Sequence, residues 1–492
     1  MFAGKRCRIS GEGEKTKVKG VLNINDFRDF GEVVVAGAVP PSLEIVEPKV
    51  VIDSREITDG GIFIALKGER TDGHSYIRTV FDNGASWSMV SREWYKAEGF
   101  PKPPPGKGFL VTTDPVAGLQ RLSTMYRSTF SVPVVAIGGS NGKTTTKEMV
   151  AAVLGTGYNV TVSQGNRNNH LGVPLTLLQL QRDTGIAVVE VGINHPGEMA
   201  LLADIARPTH ALLTNIGHEH LEFLLDLDGV AAAETKLYDY VRRNGGIAFI
   251  NNDDLRLRDA GAGLAGSFCY GTSESPDHIC WAREIFVEQD GRLSFLLCTA
   301  TGSEKIILNF TGRHNVINAV ASAAVGSHFG LSLLQIREGL ERLIPAPGWK
   351  RLEVVDSFGL RILNDTYNAN SDSMRQAIEA LCDMPCGGKR VAVLGDMLEL
   401  GAAGDVEHDT IGRYIQQRPV DILLTFGDKA RLIGLEAPGA FRGHFESREQ
   451  LLAQLLALLH EDDVVLFKGS RGMKLEQVVE SLITARTITR EE

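Results

Sequence analysis

The stretch that most constrains this chain is Val132-Pro-Val-Val-Ala-Ile137 followed by GGSNGKTTTKEM, residues 138–149. The apolar run predicts a strand buried on both faces. Gly138, Gly139 and Gly142 permit a tight backbone nest, and Lys143 and Thr144 open a helix. The strict phosphate-loop pattern would place one more glycine five residues before Gly142, where Ile137 stands. Two readings follow. One is a phosphate loop with shorter glycine spacing, in which Lys143 meets phosphate oxygens and the Thr144 hydroxyl meets Mg²⁺; the other is a glycine-rich turn with a chance lysine. The intact mechanical parts favour the first.

A strand, nest and helix in that order imply a layered α/β architecture, and the rest of the chain extends it. Over 131–344, Ile186-Ala-Val-Val-Glu-Val191, Ala211-Leu-Leu213 and Ile247-Ala-Phe-Ile250 read as strands and 226–243 as a helix, which predicts a mostly parallel sheet with ligands at its carboxyl ends. Ile344-Pro-Ala-Pro-Gly348 breaks the pattern. Beyond it, Arg361–Leu363, Arg390–Leu394, Asp421–Thr425 and Asp463–Phe467 alternate with helix-length segments, so 345–492 reads as a further Rossmann-like α/β domain. Residues 1–130 contain shorter strands (Val50–Ile52, Ile62–Leu66, Phe109–Val111) and a PKPPPGKG loop, and read as a small α/β module. Three α/β domains suit 492 residues, since a single core seldom organises more than about 250.

Polar clusters fall where such sheets bind ligands. Glu190 ends its strand, placed either to hold Mg²⁺ or to be solvated or cap a helix. Asn215-Ile-Gly-His-Glu-His220 follows the next strand. Histidines two apart cannot share a helical face, so His220 is either a metal ligand from a loop or a histidine with an ordinary hydrogen bond. Asn166, Asn168 and Asn169 crowd one turn-like loop, as recognition amides or as turn formers. Asp365-Thr-Tyr-Asn-Ala-Asn370 precedes a helix starting near Ser371 or Asp372, good caps both, while Tyr367 could stack on a ligand.

Composition narrows the function classes. A net charge of −10 argues against a chain devoted to gripping nucleic acid. No apolar run approaches about 18 residues and the start, MFAGKRCRIS, leads into charged GEGEKTKVKG, so neither membrane insertion nor export is expected and a cytoplasmic location is. The six cysteines are scattered, with only Cys382 and Cys386 close, which suits reduced thiols better than a zinc site.

In order along the chain, GGSNGKTTTKEM, GNRNNHLGVPLTLL, VVEVGINHPGEM, TNIGHEHLE, TGRHNVINAVASA, NDTYNANSDSM, LGDMLELG and FKGSRGMKLE resemble the successive signatures of the Mur ligases, over roughly residues 48–480. Asp53-Ser-Arg55, Phe63–Gly68 and Asp72-Gly-His74 extend the resemblance into the first module, which in the family holds the UDP-sugar end of the substrate. The first 40 or so residues match poorly. TYNAN with GDMLELG resembles the branch that joins D-alanyl-D-alanine to UDP-N-acetylmuramoyl-tripeptide.

The resemblance implies ATP and Mg²⁺ as cofactors, an acyl-phosphate intermediate, and a monomer acting on a peptidoglycan precursor. It implies that Gly139, Ser140, Asn141, Gly142, Lys143, Thr144, Thr145, Asn315, Arg351 and Asp365 bind ATP. Asn315 would contact adenine. Ser54, Arg55, Asn166, Asn168, Asn169, Tyr367, Asn368 and Asn370 would bind substrate, and Thr144, Glu190 and His220 would serve Mg²⁺, with Lys143, Glu190, His220 and Glu234 as the catalytic set. A related ligase with another amine, or a partner subunit that no longer ligates, is the alternative. In much of the family a carbamylated lysine supports a second Mg²⁺; here Ala231-Ala-Ala-Glu234-Thr-Lys236 puts Glu234 at that position. We expect Glu234 to supply the carboxylate directly, the alternative being an acid on the helix surface. Lys236, roughly 200° around a helix from Glu234, would face elsewhere.

Overall fold

The computed structural model describes residues 19–37, 41–357 and 359–491. Cys7 and the first 18 residues of the divergent start lie outside them. By its contacts the chain forms two compact units, one of residues 1–131 with 177–183 and one of 132–176 with 184–492.

In the first unit, strands Val50–Val51, Ile62–Ile64, Trp87–Ser91 and Gly108–Thr112 run parallel in that spatial order. The edge strand Glu32–Val35 closes the sheet antiparallel to Gly108–Thr112. Phe63, Val80, Phe81, Val90, Phe109 and Val111 pack on one face. His74 of the Asp-Gly-His motif is buried and structural: its Nε2 accepts from the Ser91 amide at 2.9 Å, which leaves Nδ1–H to donate to Asp72 at 2.6 Å.

The second unit contains two sheets. Its first has nine strands, with Val134–Gly138 between Ile186–Glu190 and His210–Leu213, all three parallel. After Val134–Gly138 the chain crosses to the edge strand Val160–Val162 and returns to Ile186–Glu190; it then passes to the other side through His210–Leu213, Ile247–Asn251 and Ser267–Gly271. That reversal makes the carboxyl end of Val134–Gly138 a topological switch point, where the two connections part and leave a crevice. The core unites Val135, Ile137, Val188, Leu212 and Phe249 with Met149, Val150 and Val153 of the helix Lys143–Leu154 and with the helix His314–His328. The far edge is an antiparallel meander, His278–Val287, Leu293–Thr299 and Gly302–Leu308, which the sequence reading did not anticipate. The expected helix 226–243 is two helices, Leu227–Glu234 and Lys236–Arg243, divided at Thr235.

The second sheet runs Glu353–Ser357, Leu360–Asp365, Val464–Lys468, Arg390–Gly395, Ile422–Phe426, Phe441–Phe445, and only its first strand is antiparallel. The last strand in the chain sits between the two that precede and follow the helix Ser371–Asp383. Asp365 and Lys468 thereby reach the same carboxyl edge, paired in register. Among the described residues no helix is long and apolar enough to cross a membrane.

Candidate active site

The nest after Val134–Gly138 is built by backbone geometry. Gly139 has φ +104°, and a Cβ there would meet the Thr214 hydroxyl at 2.4 Å; Gly142 has φ +81°, with the Asn318 amide at 2.8 Å from such a Cβ. Side-chain-bearing residues would be strained at both places. Asn215, from the neighbouring strand's end, clasps the loop: its Oδ1 accepts from the Asn141 amide at 3.0 Å and its Nδ2 donates to the Asn141 carbonyl at 2.9 Å. The Ser140 hydroxyl accepts from the Gly217 amide at 2.8 Å. These bonds hold the loop at the start of the helix Lys143–Leu154, whose first-turn amides are left to face an anion.

Around the nest lie more buried charges than water-excluded sites ordinarily tolerate. Lys143 Nζ donates to the Ser140 carbonyl at 3.1 Å and to Glu219 Oε2 at 3.2 Å. Burial would lower the pKa of its ammonium, but Glu219, Glu234 and Glu190 outweigh burial and raise it. Glu190 Oε1 accepts from Thr144 Oγ1 at 3.2 Å and from Asn168 Nδ2 at 2.9 Å. Lys147, fully buried, donates to the carbonyls of Ser163 and Gly165 at 2.8 Å each and stands 3.7 Å from Glu190 Oε2.

Glu234 has no exposed surface, which removes the helix-surface alternative. Its Oε2 accepts from the Gly139 amide at 2.9 Å, and burial pushes its carboxyl up to about 7. Lys236 points away and pairs with Asp239 at 3.2 Å.

Residues from the second sheet complete the cleft. Arg351 donates to Thr144 Oγ1 at 3.1 Å, with its guanidinium 3.8 Å from the centre of the Tyr367 ring. Tyr367, expected to face a ligand, thus carries Arg351 on its ring. Asp365 accepts from Lys468 Nζ at 2.6 Å and from the Leu352 amide at 3.3 Å. Asn370, rather than Ser371 or Asp372, caps the helix Ser371–Asp383. It has the extended backbone a cap needs, forms a reciprocal capping box with Ser373, and donates to Asn141 Oδ1 at 2.9 Å. Asp372, already inside the first turn, instead accepts from the His218 amide at 2.7 Å and ring at 3.0 Å. His220 Nδ1 lies 2.8 Å from Glu399 Oε2, a contact that holds the Glu399 carboxyl below its ordinary range.

The result is a cleft of about 440 Å³. It gathers Ser140, Asn141, Gly142, Lys143, Thr144, Thr145, Asn166, Asn168, Asn169, Glu190, His220, Asn315, Arg351, Asp365, Tyr367, Asn368 and Asn370. Gly139 and Glu234 stand behind the nest, joined by their hydrogen bond. Ser54 and Arg55 belong to the first unit, where Arg55 is exposed and paired with Asp53 at 2.5 Å. Asn315 lines the cleft while donating to the Thr311 carbonyl and accepting from Asn318.

The sequence reading missed Glu219, Lys147, Asp372 and Lys468. All four owe their place to partners distant in sequence: Lys143 for Glu219, Glu190 for Lys147, His218 for Asp372 and Asp365 for Lys468.

Three buried carboxylate oxygens, Glu190 Oε2, Glu219 Oε1 and Glu234 Oε1, have no hydrogen-bond partner. Buried carboxylate oxygens without a hydrogen bond are costly, so their grouping fits a cation that arrives with a ligand. Among the described residues no three His, Cys, Asp or Glu side chains converge closely enough to hold a metal unaided.

Comparison with known proteins decides the family. The Mur ligase middle domain matches residues 137–326, and the Mur ligase glutamate ligase domain matches 350–471. The UDP-N-acetylmuramoyl-tripeptide–D-alanyl-D-alanine ligase of Bacillus subtilis is 35% identical over 463 residues, 93% of this chain and 98% of that protein. The chain belongs to the Mur ligase family. Among solved structures, this Mur ligase resembles MurF from Acinetobacter baumannii, with TM-score 0.82 and 30% identity over 94% of this chain and 99% of that one. It also resembles the MurF ligase of Thermotoga maritima in complex with ADP, with TM-score 0.78 and 27% identity over 90% and 99%.

Proposed function

We propose that this Mur ligase joins D-alanyl-D-alanine to UDP-N-acetylmuramoyl-tripeptide at the expense of ATP, a cytoplasmic step in making peptidoglycan precursors. The observation that carries the reaction class is a single cleft holding a phosphate nest, Lys143, the buried carboxylates of Glu190 and Glu219 and a set of polar side chains from the second sheet, with Glu234 buried behind the nest. The choice of amine and acid rests on the full-length relative named for them.

A carboxylate is a poor electrophile. Transfer of the γ-phosphoryl group of ATP to the substrate carboxylate gives an acyl phosphate; the dipeptide amine then attacks its carbonyl carbon, and phosphate departs with the bridging oxygen. The amides of Gly142, Lys143, Thr144 and Thr145 would bind the phosphates, and Lys143 would stabilise charge on the transferring group. Arg351, held against Thr144 by its stack on Tyr367, would bring a second cation to the phosphates. Thr144, Glu190, His220 and Glu234 are the residues we assign to Mg²⁺, which when bound would neutralise phosphate charge. Asn166, Asn168 and Asn169 would orient the acid, and Asn368 and Asn370 the amine. We assign 1–130, with Ser54 and Arg55, to the UDP end of the substrate, 131–344 to ATP and 345–492 to closing the site.

Oxygen labelling tests the chemistry. If the reacting carboxylate carries ¹⁸O in both positions, each released phosphate should contain one labelled oxygen. Unlabelled phosphate during amide formation would exclude the acyl phosphate.

A further inference from the structure

Glu219 is the buried carboxylate to which the reaction above gives no task. Its side chain is 9% exposed and spends one oxygen on Lys143 at 3.2 Å. Its other oxygen has no hydrogen-bond partner, and it lines the cleft where a nucleotide would enter. The contact is not incidental. The segment bearing Glu219 is clasped to the nest at three points: the Ser140 amide donates to the Asn215 carbonyl at 2.8 Å, Asn215 bonds Asn141 in both directions, and the Gly217 amide donates to Ser140. Asp372 then fixes His218 from the other side. A well-held backbone therefore delivers a flexible acidic side chain to the lysine of the phosphate loop.

Charge makes that placement consequential. Lys143 has three donors, of which the Ser140 carbonyl and Glu219 take two. A phosphate approaching the same ammonium meets a fixed negative charge within hydrogen-bonding distance of it. With Glu190 and Glu234 also buried nearby, three carboxylates face the two ammonium groups of Lys143 and Lys147, the latter 3.7 Å from Glu190. Nucleotide phosphate and Glu219 thus compete for one cation.

We propose that Glu219 is an internal counter-anion that occupies Lys143 in the free enzyme and must release it before a nucleotide phosphate is held there. It would act as a positioning residue that sets nucleotide affinity. Its Oε2 is 3.9 Å from His220 Nε2, so a short side-chain rotation offers it another positively polarisable neighbour. The free state protects a buried lysine from standing uncompensated, and its cost appears as weakened nucleotide binding, because apparent affinity falls with the fraction of enzyme ready to bind. The inference rests on the nucleotide reading of the loop.

Calorimetric titration of the full chain with ADP in excess chelator, so that metal coordination does not contribute, tests it. Glu219→Gln keeps size and polarity but removes the charge, and we expect ADP to bind roughly tenfold more tightly than to the unaltered protein. Glu219→Asp, one methylene shorter, should fall between the two. In a Lys143→Met background the gain should shrink severalfold, since the cation being competed for is gone. A structural lesion does not raise affinity, so a gain is specific to the proposed role. Unchanged or weaker ADP binding by both Glu219 variants, with melting curves like the unaltered protein's, would overturn the proposal while leaving the nucleotide reading intact. Failure of the unaltered protein to bind ADP even with Mg²⁺ would overturn that reading and the proposal together.

Discussion

Glu234 gives one oxygen to the Gly139 amide and leaves the other buried without a partner, an arrangement that costs free energy unless something cationic completes it. Glu234→Gln keeps an acceptor for Gly139 and removes the charge. We expect turnover at limiting Mg²⁺ to fall by about tenfold or more, with partial recovery at high Mg²⁺; activity near that of the unaltered enzyme at limiting Mg²⁺ would contradict the assignment. At Gly139 the constraint is steric. Gly139→Ala must hold φ near +104° with a Cβ against Thr214, so a loss of more than about 1 kcal/mol of stability and of measurable ADP binding is expected from thermal melts and titration. The placement of Lys143 and Thr144 was legible because a strand, a nest and a helix start announce themselves within a dozen or so residues, and that of Glu190 because it ends an apolar strand. Glu219 and Lys468 were not, because their meaning lies in partners 76 and 103 residues away.

At the scale of elements, the helix Ser371–Asp383 joins stability to the site through one residue. Asn370 caps it and also reaches Asn141. Asn370→Ala should cost about 1 kcal/mol through the lost cap and also raise the KM for ATP. Asn370→Asp keeps the cap but loses the amide donor, so its melting temperature should stay near that of the unaltered protein while KM still rises. A KM unchanged in both variants would sever the cap from the site. The parallel strands were readable as uninterrupted apolar runs because both their faces are covered. The meander over 278–308 was not, since His278–Val287 buries alternate residues at first and then turns outward with Arg283 and Glu284. The division of 226–243 at Thr235 was also invisible, because no glycine or proline marks the joint.

For the whole molecule, the end of the first large sheet opposite the cleft holds a titratable pair that should govern its response to acid. His210 and His328 meet Nε2 to Nε2 at 3.1 Å, among Phe249, Phe268 and Phe329. Burial, reinforced by His328, pushes His210 down to about 4. An unfolded chain takes up a proton there near pH 6.5 and the folded one only near 4, so stability is full above about 6.5 and falls as pH drops between those values. The share lost is about 3 kcal/mol at 1.4 kcal/mol per pKa unit. His210→Gln should flatten the decline in melting temperature across that window; an unchanged slope would show the pair to be inert. The layered α/β architecture and the shared cleft were legible from the order of motifs, whereas this pair arises from two strand and helix ends brought together only by the fold. The central claim, amide ligation to a particular dipeptide, is tested most directly by phosphate release from ATP with UDP-N-acetylmuramoyl-tripeptide and a panel of amines. Release that requires both the tripeptide and D-alanyl-D-alanine is the predicted result; release supported equally by another amine, or none with any amine, would contradict it.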